Sequence, residues 1–185
     1  MLTHCGTVEL KTERLILRRF EIEDAAQMFN NWSSEEQVAR YMRWDAHKDI
    51  NDTKTVLIKR IEKYNDIKTY LWAITLKETN EPIGSIGLIC SNEYDMCAKV
   101  AYCLGKSYWG KGIAAEALRE VIRFGFLKVN FNRIEAYHSI NNDASGKVMQ
   151  KGGMKFEGRL RQKYRSHDGF QDCDMYAILR KDLIF

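Results

Sequence analysis

Proline is almost missing from this chain of 185 residues, where Pro82 stands alone. No Pro-, Gly- or Ser-rich tract supplies a linker, and no segment repeats at a fixed period. One domain spanning residues 1–185 is therefore expected. Long apolar runs are also missing. None approaches the ~18 residues that cross a bilayer, and the N-terminal stretch has no apolar leader core. A cytoplasmic protein without a membrane partner is expected. The five cysteines, Cys5, Cys90, Cys97, Cys103 and Cys173, are odd in number, widely spaced and without a Cys-x-x-Cys pair. His4, His47, His138 and His167 do not complete zinc-ligand spacing with them, so reduced thiols and no metal are expected. Nor does one sign of charge dominate. The 29 Lys and Arg are interleaved with 25 Asp and Glu for a net charge of +4, which does not call for direct nucleic-acid binding. The densest basic stretch, Arg159, Arg161, Lys163 and Arg165, has a cation at every second position. It reads as a solvated strand face, or as a landing site for a cofactor's 3′-phosphate or an acidic partner.

What is present suffices for a core, since 45% of residues are hydrophobic. Alternation predicts a strand over Thr12 to Phe20, with Asp24 capping a helix that carries Ala25, Met28 and Phe29. The aromatic-rich stretch to Asp49 is mixed. Asp49–Asp52 caps a helix bearing Val56, Leu57, Ile61 and Tyr64. Tyr70–Lys77 and Ile83–Cys90 form a hairpin around Glu78–Glu81. A strand over Ala98–Leu104, a helix over about Gly112–Lys128 and a strand over Arg133–His138 make a βαβ unit, so those two strands should be parallel. Asn141–Asp143 caps a further helix that stops at Gly152-Gly153. Strands over Met154–Tyr164 and Asp174–Leu179 close the chain around a turn at His167-Asp168-Gly169. The fold class is α+β: a mixed, mostly antiparallel sheet with a central βαβ unit and flanking helices.

The chemistry concentrates at Gly110-Lys111-Gly112, between a strand and a helix start. Glycines uncover main-chain N–H groups there. The first helical turn adds its own unpaired N–H groups and the positive end of its dipole, a corner suited to phosphate or pyrophosphate. It also reads as a plain glycine-containing connection without ligand. A Walker loop is excluded, because Gly112 follows Lys111 where Ser or Thr is required. The spacing Gly110-x-Gly112-x-x-Ala115, with Glu135 a little over ~20 residues on, matches a dinucleotide fingerprint. Gly105 to Trp109, however, separate the strand from the first glycine.

Two further constellations follow. Asn142 and Ser145 share one side of a helix start, where Asn142 serves as a cap and Ser145 offers a hydroxyl to a developing anion. Glu135 and Tyr137 share one face of a strand, where Glu135 is a candidate proton acceptor or a structural partner of Arg or Lys.

These motifs together resemble the GNAT acetyltransferases, specifically the ribosomal-protein alanine N-acetyltransferase (RimJ/RimL) type. Thr12–Arg18 is similar to the opening strand, Tyr108–Leu118 to the acetyl-CoA loop and helix, Asn132–Ala136 to the next strand, and Asn142–Ser145 with Val148–Met154 to the late helix. The resemblance implies a GNAT fold with a splayed sheet and acetyl-CoA as cosubstrate. Pantetheine would run along Cys103 and Leu104, the pyrophosphate would lie on Gly110, Lys111, Gly112, Ile113 and Ala114, and Trp109, Asn142 and Ser145 would also bind the cofactor. It implies direct attack of a primary amine on the thioester, with a backbone N–H near Leu104 polarising the carbonyl. The acceptor is the N-terminal α-amine of a ribosomal or other protein, or alternatively a small-molecule amine (amino acid, polyamine or drug), and a non-catalytic acyl-CoA-binding protein of the same fold is the remaining alternative. Glu135 would accept the amine proton through water. Ser145 would serve the departing thiolate, because the family's usual tyrosine position holds Met149. An acyl-enzyme on Cys103 is disfavoured, since the family transfers directly. Lys99 stands where relatives often carry Glu, which moves weight to Glu135. Gly146 leaves room for close approach of the cofactor. The chain would act as a monomer or homodimer. Trp32, Tyr41, Trp44 and His47 either line the acceptor pocket or fill the core.

Overall fold

The computed structural model describes residues 1–166 and 169–183. Its strands are β1 (Leu10–Lys11), β2 (Leu15–Arg18), β3 (Tyr70–Leu76), β4 (Pro82–Asn92), β5 (Cys97–Leu104), β6 (Arg133–Ser139), β7 (Lys155–Ser166) and β8 (Gly169–Leu179). They form one sheet in the order β1-β2-β3-β4-β5-β6-β8-β7. Every pairing is antiparallel except β5 with β6, which is parallel as a βαβ crossover requires. The helices are α1 (Ala25–Met28), α2 (Glu36–Ala39), α3 (Ile50–Glu62), α4 (Ile113–Phe124) and α5 (Asp143–Lys151).

Alternation along the strands builds two cores, one on each face of the sheet. Trp72, Ile86, Val100 and Ile134 face α4, where Ala117, Leu118 and Val121 meet them. Ala73 and Cys103 face the opposite side, where Phe20, Met28, Trp32 and Leu57 of the α1–α3 layer cover them. Each large apolar side chain buried in this way contributes about 1.5–3 kcal/mol.

Local chemistry sets the boundaries. Asp49 starts α3 by accepting from the amides of Asn51 (2.6 Å) and Asp52 (3.2 Å). Asn142 starts α5 by accepting from the amide of Ser145 at 3.3 Å. The α4 segment widens into a π turn over Gly125–Val129 and ends where Asn130 takes a left-handed φ of 72°.

Three expectations change. The strand foreseen over Thr12 to Phe20 is confined to β2 (Leu15–Arg18), because a turn at Thr12–Arg14 folds β2 back on β1, which precedes the foreseen range. Asp24 does precede α1, but its side chain does not cap the helix. It accepts from both Arg18 guanidinium nitrogens (2.7 and 2.8 Å) and from the Glu21 amide. The basic residues of β7 do not form a single stripe. The strand is irregular between Leu160 and Tyr164, with Gln162 at a φ of 51°, so the two-residue period is broken. Arg159 is bound to Asp174 and Arg165 lies over Phe170. Of the foreseen final turn, His167 and Asp168 lie outside the described residues.

Candidate active site

The site begins where β5 and β6 part. They pair at Cys97↔Arg133, Ala98↔Ile134 and Lys99↔Glu135, and among the described residues no later rung joins them. Val100–Leu104 and Ala136–Ser139 therefore flank an opening in the middle of the sheet. The ladder with β4 decides which groups of β5 face it. The Gly105 amide donates to the Ile83 carbonyl at 2.8 Å, and the register then runs in step through Gly84↔Leu104 and Ile86↔Tyr102. Antiparallel strands alternate bonded and non-bonded pairs. Hence Leu104 and Tyr102 turn their main-chain N–H and C=O toward the opening, whereas Cys103 turns its own toward β4. Of the residues expected to pair with an extended ligand, Leu104 therefore has main-chain groups facing the opening, as does Tyr102, whereas those of Cys103 are taken up with β4. The Leu104 carbonyl is already met by the indole N–H of Trp109 at 2.7 Å.

Cys103 projects to the other face. Its thiol is buried beside Ser85 Oγ at 3.2 Å, and burial pushes its pKa up. A protonated thiol of this kind is a poor nucleophile.

Next to the open edge stands the glycine corner. Gly110 and Gly112 both have φ +76°, a left-handed backbone that glycine adopts without strain. A Cβ on Gly110 would meet nothing within 4 Å, so the corner is open to a ligand. Among the described residues, the amides of Gly110, Lys111 and Gly112 make no main-chain hydrogen bond. The first-turn amides of Ile113 and Ala114 follow directly at the start of α4.

A carboxylate in that first turn would oppose an anion, and Glu116 is there. It is neutralised by the β1–β2 turn. Glu116 accepts from Thr12 Oγ1 (2.6 Å), the Arg14 amide (2.9 Å) and Arg14 Nε (2.7 Å), and it pairs with Arg14 Nη2 (2.6 Å). Burial alone would raise its pKa, but these bonds outweigh it and hold the carboxyl below its usual value. Arg14 Nη1 also donates to the Lys111 carbonyl at 3.0 Å, tying the corner to the sheet edge. Thr12 and Arg14 were read in the sequence only as part of a strand. Nothing in linear spacing joins them to Glu116, about a hundred residues away.

Across the opening lies Ser145, half-buried in the first turn of α5. Its Oγ is 2.9 Å from the Tyr102 hydroxyl, which is also 3.0 Å from the Ser145 carbonyl. A carbonyl only accepts, so the phenol donates to it and Ser145 Oγ–H donates to the phenol oxygen. Burial pushes the Tyr102 pKa up, the bond with Ser145 opposing it in part. Tyr102 is the functional residue that the sequence reading missed as such. Its signal was the alternation that sends it to the α5 face while Ala101 and Cys103 go to the other. Met149, at the position of the usual tyrosine, is buried in the core.

Glu135 does not join this group. It lies on the last paired rung, where Arg133 Nε donates to it at 2.7 Å, Arg133 binds Glu157 as well, and Lys99 is its cross-strand neighbour. Its carboxylate is engaged by Arg133 rather than directed freely into the opening. Tyr137, beyond the last rung, accepts from Arg43 Nη2 at 3.1 Å. Gly146 does allow close approach, but of His138 rather than of a cofactor. A Cβ there would lie 2.6 Å from His138 Nε2.

The aromatics divide. Trp32 is core, His47 is held by Thr53 at 2.7 Å, and Tyr41 donates to the Asn141 carbonyl at 2.8 Å. Trp44 lines a groove on the α3 face of the sheet, together with Met42, Ser85 and Ala101. All five cysteines are free. Among the described residues, no helix is long and apolar enough to cross a membrane.

The comparisons agree with this geometry. The acetyltransferase (GNAT) domain matches residues 14–155. An uncharacterized N-acetyltransferase p20 of Bacillus licheniformis is 33% identical over 177 residues, covering 94% of this chain and 97% of that protein. A GNAT-family acetyltransferase of Bacillus anthracis superposes with a TM-score of 0.83 at 25% identity, covering 94% of this chain and 99% of that one. A ribosomal-protein-S5-alanine acetyltransferase of Vibrio fischeri shares the fold at 21% identity, with a TM-score of 0.81 over 96% of this chain and 100% of that one. With its parted strands, glycine corner and matched domain, the chain belongs to the GNAT acetyltransferases and is an N-acyltransferase.

Proposed function

We propose that this enzyme transfers the acetyl group of acetyl-CoA directly to a primary amine. The observation that carries the reading is the opening between β5 and β6, with free strand edge on one side and the Gly110–Ala114 corner at its end. Pantetheine fits the edge offered by Tyr102 and Leu104 as an added strand would, and the pyrophosphate fits the corner's amides. Trp109 covers the join between the two, and Asn142 fixes the α5 turn opposite.

Acetyl-CoA supplies an activated thioester. The chain supplies orientation and two proton paths. The Leu104 N–H, directed into the opening, donates to the thioester carbonyl as negative charge grows on it. The amine enters from the α3 face and attacks in neutral form. Its proton leaves through water at the mouth, because Glu135 is held by Arg133 and is reached only through water. At the other end Ser145 Oγ–H turns from the phenol to the departing sulfur. Tyr102 returns a hydrogen bond to Ser145, so a phenol reaches this helix start from the strand while Met149 fills the core.

For the acceptor, an α-amine is the reading that the motif resemblance supports, and a protein N-terminus of the ribosomal type is its most specific form. The deciding experiment is calorimetric titration with acetyl-CoA, with NADH as control. Saturable acetyl-CoA binding without NADH binding is expected. Failure to bind acetyl-CoA would overturn the assignment of the corner and the open edge.

A further inference from the structure

Arg60 lines the groove of about 640 Å³ on the α3 face of the sheet, the side on which Ala101 and Cys103 of β5 are presented. It makes no hydrogen bond or ion pair among the described residues. Its Nη1 is shut off from solvent without a partner, and its guanidinium lies over the Phe20 ring at 5.0 Å. Burial pushes its pKa down, and its charge is felt by the Cys103 thiol on the strand that borders the opening. A largely buried guanidinium with no anion is costly, and native structures avoid it unless something else completes it. Among the described residues that line the groove, the one carboxylate, Glu93, is taken by Lys68 at 2.5 Å, and Lys63 adds a further cation without an ion pair among the described residues. Gly87 and Ala101 of the sheet line the groove together with Trp44 and Arg60.

We infer that this groove is the acceptor site and that Arg60 pairs with a carboxylate carried a few bonds from the acceptor's amine. The inference rests on the acetyltransferase reading above and narrows it to one substrate class. Two sources present that chemistry: the α-carboxylate of a free amino acid, and an acidic side chain next to the N-terminus of a peptide. A planar guanidinium suits either by bidentate pairing. The same cations disfavour polyamines as acceptors.

The test uses matched acceptors on the acetyl-CoA-loaded enzyme. One arm compares free amino acids with their carboxamides. The other compares C-terminally amidated peptides bearing Asp or Asn at the second position. In one arm or the other, the carboxylate member is expected to have at least about a tenfold higher kcat/KM in the wild type. Arg60→Met, which replaces the guanidinium with an unbranched apolar side chain, is expected to bring that ratio close to one while leaving acetyl-CoA affinity unchanged. Arg60→Lys, retaining a point charge, is expected to restore part of it. Because it removes an unpaired charge, Arg60→Met is expected not to lower the melting temperature. A ratio near one in the wild type in both arms, or a preference that survives Arg60→Met, would overturn the inference. If no amine turns over, calorimetry of the CoA-loaded protein with the same pairs decides. Carboxylate-dependent binding lost in Arg60→Met supports it, and absence of such binding overturns it. Failure of the acetyltransferase reading would show separately, as failure to bind acetyl-CoA.

Discussion

Ser145 and Tyr102 form a two-hydroxyl pair whose members come from different elements, and their roles separate in kinetics. Ser145→Ala is expected to lower kcat by about 10²-fold, the lower end of positioned acid–base effects, while acetyl-CoA affinity changes little. Tyr102→Phe keeps the ring in the core and removes only the hydroxyl, so a smaller fall in kcat is expected. Glu135→Gln is expected to change kcat less than Ser145→Ala, because Arg133 already holds that carboxylate. Steady-state kinetics of the three variants beside acetyl-CoA titrations would check this ordering. An unchanged kcat in Ser145→Ala would remove the serine from the mechanism. Ser145 was legible in the sequence because a helix cap and a hydroxyl three residues later form a local pattern. Its phenol partner was not, since it lies 43 positions away on a strand.

At the scale of the element, the start of α4 joins a loop, a helix dipole and a sheet edge. Gly112→Asp places a carboxylate at the anion corner and forces a side chain into a φ of +76°. Acetyl-CoA binding measured by calorimetry is expected to weaken at least tenfold. The Glu116 anchor adds a pH signature. Its pKa in the folded state is lowered, so the unfolded chain binds the proton more readily. Its stabilisation is therefore fully present above the unfolded value near 4.5 and is lost as pH falls through the lower folded value. Glu116→Gln is expected to cost about 1–3 kcal/mol at neutral pH, given that Arg14 is partly exposed. Denaturant titrations of wild type and variant should differ by a constant amount above about pH 5.5 and converge in acid. A difference independent of pH down to acid unfolding would show that the carboxylate charge is not what anchors the turn. The Thr12–Arg14 turn was hidden from strand periodicity because a long-range carboxylate, rather than a local turn residue, holds it.

For the whole molecule, the two halves of the sheet share three rungs of parallel pairing among the described residues, and side-chain hydrogen bonds and packing hold the rest of the junction. The loop after α2 spans the junction. Tyr41 donates to Asn141, Arg43 donates to Tyr137, and Tyr164 from β7 donates to the Tyr41 and Met42 carbonyls. A ligand that binds across the opening binds only the folded state. Acetyl-CoA at about 100 times its Kd is expected to add ~2.7 kcal/mol of stability, raising Tm by several degrees at this chain length. A thermal melt with acetyl-CoA and with NADH checks this, and a Tm unmoved by acetyl-CoA would argue against a site between the halves.

The sequence by itself determined what depends on neighbours along the chain. That includes the caps at Asp49 and Asn142, the glycine corner, the alternation of β3 to β6 and the order of motifs that resembles the GNAT family. These are set by backbone dihedrals, helix-end hydrogen bonding and side-chain period, all of which act over a few residues. Only the tertiary structure decided the rest. The ladder register turned Tyr102 and Leu104, rather than Cys103, toward the opening. The fold paired the candidate base Glu135 with Arg133 at 2.7 Å. The irregularity between Leu160 and Tyr164 broke up the cation stripe, and Arg60 was placed over Phe20 without an anion among the described residues. In each case the deciding partner is distant in sequence or depends on strand register. Charge and hydrogen-bond energies depend on the distance to that partner, which only the packed fold sets.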